Sequence, residues 1–249
     1  MKKISHAFLA FVMASGLVLP AVPVLAQGAE GEPEQTWCSK LSTRQATIMA
    51  RFDSRVTAMQ QHRTAKDQQL KANRDRQDLQ LKSRRAARDR TFGEEIALLT
   101  KLAGDDAGKK AAAIAFKDAV TAARTAFRTA KDQAIATFRT EQAALLATFR
   151  SSMDSAHSAR KASFTTAFTQ ATADCAAKTP GARKKLRDAL QAARQTFKSS
   201  IDSAQQTRKT SLDASVLKRK EAVNASGKTR TEAVRAAEQT LRAAWPGAF

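Results

Sequence analysis

The chain has 249 residues, with 43 Lys+Arg against 23 Asp+Glu, no Tyr, 9 Gly and 5 Pro. A basic chain of this size favours anionic partners, namely phospholipid surfaces, envelope polymers or nucleic acid. Its richness in Ala, Lys, Arg, Gln and Thr favours helix over sheet, and a core in which Ala supplies much of the apolar count is thin.

The chain opens on Met1-Lys2-Lys3, followed by an apolar run from Ala7 to Leu19, then Pro20, Pro23 and Val24-Leu25-Ala26. A positive start, a short apolar run and small residues at the third-last and last places before a cut predict a secretory signal peptide over 1–26. The run is too short to span a bilayer comfortably, which takes about 20 residues. No Cys follows the cut, which argues against a lipoprotein. Export implies periplasm or cell exterior and makes nucleic acid the least natural partner. Loss of Lys2 and Lys3 leaves 41 basic against 23 acidic residues, a charge of +18. Residues 27–38, rich in Gly, Glu and Pro at their start, read as a disordered lead, with Trp37 beside Cys38.

From residue 39 to 245 the sequence reads as one elongated helical bundle. Gly104–Gly108 and Lys178-Thr179-Pro180-Gly181 are the two breaks, because Pro and Gly stop helices for backbone reasons. They leave three helices, at about 41–103, 109–177 and 182–243, each about 90–105 Å long at 1.5 Å per residue. Short connections make neighbours antiparallel. Gly93 and Gly227 lie inside helices and each costs about 1 kcal/mol relative to Ala.

The three segments share an 11-residue step. Ile48, Met59, Leu70, Leu81 and Phe92 form one column, Phe116, Phe127, Phe138 and Phe149 a second, and Leu190, Ile201, Leu212, Val223, Val234 and Trp245 a third. Three turns of α-helix take about 11 residues, so each column returns to one face. Smaller residues between them complete a narrow apolar stripe, as in Leu186, Leu190, Ala193, Phe197, Ile201 and Ala204. The expected fold is all-α: three long antiparallel helices with hendecad repeats in a coiled-coil-like bundle.

Folding the first two helices back about the centre of the Gly104–Gly108 turn sets Cys38 opposite Cys175, and an oxidising compartment would keep a disulfide there. The same register sets Phe116 opposite Ala97 and Phe127 opposite Ala86, large against small, and degrades where Asp75 meets Phe138.

Lys117, Arg128, Arg139, Arg150 and Lys161 also step by 11, as do Arg187, Lys198, Lys209 and Lys220. They set a cation about every 16 Å along a rod, either as candidate anion-binding rows or as stems covering apolar surface with their heads in water. Asp67, Asp78 and Asp89 follow Arg63, Arg74 and Arg85 by four residues and read as pairs along one helix face. The sequence offers no catalytic constellation, no Gly-rich phosphate loop, no metal-ligand spacing and no cofactor motif, so an enzyme is not expected. The tail, 246–249, caps the bundle end or serves as a small docking peptide.

In period and composition the repeats resemble those of exchangeable apolipoproteins and late-embryogenesis-abundant proteins, whose polar faces carry mixed charge rather than an excess of base. A basic, exported, long-helix chain is also similar in type to Skp-like periplasmic chaperones, which add a small β domain for which no strands are evident here. The readings that follow are a non-enzymatic structural, spacer or binding rod of the cell envelope, an amphipathic protein of lipid or membrane surfaces, and a holdase-type chaperone. The partner is an anionic polymer or lipid, a protein, or a second copy of the chain.

Overall fold

The structure, a computed structural model, describes residues 33–246; the expected signal peptide and all but Pro246 of the tail lie outside it. Four α-helices and no strand make up the described residues: α1 Glu34–Ser39, α2 Leu41–Leu102, α3 Ala107–Ala176 and α4 Ala182–Ala244. The three long helices fall where the periodicity and the breakers put them. The fourth was not expected. Instead of a disordered lead running to residue 38, Glu34–Ser39 is helical, because Trp37 has an apolar seat to fill and is 4% exposed.

Each junction has a local cause. At Gly104 the backbone enters the left-handed region (φ 55), which glycine adopts without a side-chain penalty. Asp106 then caps α3 by accepting from the Lys109 N–H at 3.0 Å. Helix α3 ends in a Schellman pattern, in which Thr179 N–H reaches the Asp174 carbonyl at 2.8 Å and Lys178 N–H that of Cys175 at 3.1 Å. The left-handed residue of that pattern is Lys178 (φ 54), where glycine is the usual occupant. Gly181 (φ 76) starts α4.

Tertiary packing is uneven. Helices α3 and α4 approach each other closely along their lengths, whereas α2 approaches α3 closely at few places. The core is correspondingly split. One apolar cluster lies at the bridge end, where Trp37, Leu41, Ile48 and Phe52 meet Phe164, Phe168, Leu186 and Leu190. Two smaller ones lie at the turn end, around Phe92, Ile96, Val120 and Ala237, and around Ala103, Leu241 and Trp245. Between them the α2 column thins: Ile48 and Phe92 are 9% exposed, but Leu70 is 39% exposed. The middle of α2 stands off its neighbours.

The disulfide joins Cys38 to Cys175 across 137 residues, with the two Cα atoms 5.9 Å apart. It ties α1 and the start of α2 to the end of α3, beside the bridge-end cluster.

Candidate functional site: a lattice of arginines

Arginines eleven residues apart form two arrays that bridge neighbouring helices, and a third set of cations faces outward. The first array spans the gap between α2 and α3. Arg150 donates to both oxygens of Asp67 (2.6 and 2.8 Å), Arg139 to those of Asp78 (2.7 and 2.8 Å) and Arg128 to those of Asp89. Arg63 and Arg85 reach the other way, to Asp154 at 2.9 Å and Asp132 at 2.6 Å. Lys161 pairs with Asp53. As the α2 partner advances by eleven residues the α3 partner recedes by eleven, as antiparallel helices require.

These pairs correct two expectations. Asp67, Asp78 and Asp89 do not pair with Arg63, Arg74 and Arg85 along α2; they pair across to α3. With the base four residues before the acid, pairing along one helix is the weaker arrangement, so a well-placed partner on a neighbouring helix outcompetes it. On an antiparallel partner carrying the same Arg-x-x-x-Asp pattern, each Arg instead meets the other helix's Asp. Arg63/Asp67 and Arg150/Asp154 form one such reciprocal set, and Arg85/Asp89 and Arg128/Asp132 another. In the middle set Ala143 takes the place of the second acid, and Arg74 contacts Gln142 at 3.5 Å.

The second correction concerns the α3 row read as a candidate anion-binding row. Arg128, Arg139, Arg150 and Lys161 are already matched by carboxylates of α2. Only Lys117 of that row is exposed with no acid paired to it among the described residues. The guanidiniums hold Asp67 and Asp78 below the ordinary aspartate pKa, chiefly through the direct hydrogen bond.

The second array was not anticipated. Arg208, Arg219 and Arg230 of α4, themselves eleven apart, lie over the rings of Phe149, Phe138 and Phe127 of α3, at 4.9, 4.3 and 4.7 Å from the centroids. Arginines of α4 thus roof three members of the phenylalanine column, whereas the fourth, Phe116, packs on Phe92 of α2 with ring centroids 6.3 Å apart. Phe138 is 9% exposed under Arg219. Asp75, expected opposite it, is exposed and pairs with Lys71 on its own helix at 2.9 Å. A guanidinium suits this place because it is planar, weakly hydrated and attracted to the ring face. The eleven-residue spacing of these arginines was legible; the helix they would stack on was not. Glu141, hydrogen-bonded by buried Ser215 and paired with Lys218 at 2.7 Å, adds a polar link between α3 and α4.

The α4 row keeps its charge outward. Arg187, Lys198, Lys209 and Lys220 are all exposed. Arg187 and Lys198 have only loose neighbours on their own helix, Asp188 at 3.9 Å and Asp202 at 3.8 Å. Among the described residues no group of three or more His, Cys, Asp and Glu could hold a metal ion, and no helix is long and apolar enough to cross a membrane. A shallow trough between α3 and α4 is lined by Ser152, Ser155, Ser200, Ser203, Phe149 and Arg208. Comparison with known protein families, curated proteins and solved structures finds no match for the chain.

Proposed function

We propose that this protein is a non-enzymatic, exported helical rod of hendecad, coiled-coil-like design that acts as a spacer or scaffold in the cell envelope, held to anionic polymers or lipids by its basic surface. One observation carries the reading: Arg187, Lys198, Lys209 and Lys220 remain exposed on α4 at a fixed spacing, while four of the five cations in the α3 row are paired with acids of α2. Over the 63 residues of α4, about 95 Å of helix, this presents repeated cations suited to a polyanion or a charged surface. A disulfide closing 137 residues suits an oxidising compartment.

A second reading, binding to a membrane surface through an opened apolar stripe, is favoured by the thin attachment of α2, where Leu70 and Leu79 are 39% and 69% exposed. Co-sedimentation of the oxidised chain from residue 27 with anionic and neutral vesicles separates the two. A surface contact predicts binding to anionic vesicles only, lost at high salt and lost when Lys209→Glu and Lys220→Glu are combined. Binding that persists at high salt assigns the contact to inserted apolar residues. Absence of binding to anionic vesicles and to an anionic polysaccharide alike overturns the anionic-surface reading.

A further inference from the structure

At the bridge end three arginines from three helices converge without an acid. Arg160 of α3 lies at the centre, with its guanidinium 5.1 Å from the Phe52 ring of α2, 5.3 Å from that of Phe164, and 4.7 Å from that of Phe197 on α4. Its Nε is buried and has no hydrogen-bond partner. Arg55 follows Phe52 by three residues on α2, and Arg194 precedes Phe197 by three on α4. Residues three apart share a helix face, so both flank Arg160. Both are partly exposed, which leaves a route from solvent.

The neighbourhood contains no spare carboxylate. The nearby acids are spent elsewhere, Asp53 on Lys161 and Asp154 on Arg63, and no ion pair joins Arg55, Arg160 or Arg194 to any described acid. At the other end of the bundle Arg124 sits 3.9 Å from the Phe92 ring in a similar way; there too burial disfavours the cation, but Asp89 and Glu95 counter the charges of Arg128 and Arg230, whereas no acid counters those around Arg160. Burial first, and then the charges of Arg194 and Arg55, disfavour the cationic form of Arg160. Aromatic faces offset part of the cost of a desolvated guanidinium, but they do not offset repulsion among three cations. An oxyanion with several acceptor oxygens would, because guanidinium forks match phosphate geometry.

We propose that Arg55, Arg160 and Arg194 form a binding site for a phosphate group at the bridge end of the bundle. The ligand is a free phosphate or a phosphomonoester headgroup at a membrane surface. This deepens the anionic-envelope reading by giving it a discrete site distinct from the outer row of α4.

The test is calorimetric titration of the oxidised chain from residue 27 with inorganic phosphate, against sodium chloride at matched ionic strength. Saturable binding of about one phosphate per chain is expected, weakened about tenfold or more by Arg55→Gln or Arg194→Gln, since each removes one charge-assisted contact. Neither side chain stacks in the ring cluster, so both variants keep the fold if helicity and melting temperature match the parent. Arg84→Gln, on the exposed middle of α2, serves as the control and leaves binding unchanged. Vesicles containing phosphatidic acid against phosphatidylglycerol separate the sources. Preference for the monoester lipid that depends on Arg55 and Arg194 assigns a headgroup, and phosphate binding without that preference assigns the free ion. A phosphate response no different from chloride, or equal in all variants, overturns the site. If vesicle binding then survives and still depends on Lys209 and Lys220, the surface reading stands without it; if vesicle binding is lost too, both fall.

Discussion

Replacing Cys38 and Cys175 together by Ser tests whether α2 is an arm held at its ends. The bridge closes 137 residues. Chain-entropy reasoning assigns such a loop about 5 kcal/mol, and bridges commonly deliver about 2–4. What remains at that end is the packing of Trp37, Leu41, Ile48 and Phe52, followed by a long stretch where α2 holds to α3 mainly through exposed ion pairs. Such pairs contribute about 0.5 kcal/mol each and weaken with salt. Loss of the bridge should therefore release α2 from its N-terminal end toward the Gly104 turn and leave the α3–α4 hairpin in place. In amide hydrogen exchange, residues 41–91 should exchange roughly 30- to 700-fold faster, the factor equivalent to about 2–4 kcal/mol, with the middle of α3 and α4 little changed. Added salt should widen the difference. Equal acceleration in all three long helices would show one cooperative unit and refute the reasoning; no acceleration in α2 would show that the bridge-end cluster suffices alone.

Four further outcomes follow from the same geometry. Asp67, Asp78 and Asp132 have folded pKa values depressed by their arginines, so their contribution is present above the unfolded value of about 3.9 and is lost as pH falls below it; α2 exchange should rise below about pH 4, less steeply when Asp67→Asn and Asp78→Asn are combined. His157 has its pKa lowered by burial and by the charge of Arg160, so the stability it contributes is present above about pH 6.5 and falls away on acidification; His157→Gln should flatten the urea midpoint between neutral and mildly acidic pH. Phe138→Ala should cost about 3 kcal/mol in urea unfolding and Arg219→Gln about 1, because the first opens the α3–α4 core and the second removes only its stacked cover. Lys178→Gly should raise stability by about 0.5–1 kcal/mol, since Lys178 holds a left-handed conformation (φ 54); a loss would mean that the lysine side chain makes a compensating contact.

The sequence by itself determined the helical class, the three long helices, their breaks and the cysteine pairing. The helices and breaks rest on local properties, an 11-residue period that returns each column to one face and Pro and Gly where the backbone must turn, and the cysteine pairing needs only the fold-back that those breaks imply. Tertiary structure decided which columns meet. Every helix carries both an apolar and a basic column, so periodicity does not say whether the phenylalanines of α3 face alanines of α2 or arginines of α4. Nor does it say whether Asp67 pairs along its own helix or across a gap, which depends on side-chain tilt and on the distance to an antiparallel partner. The short α1 escaped notice because a six-residue helix has no period to read; what orders it is the apolar seat taken by Trp37 beside a disulfide from a distant helix. The convergence of Arg55, Arg160 and Arg194 is likewise invisible along the chain, since it exists only where three helices place separate residues around one point.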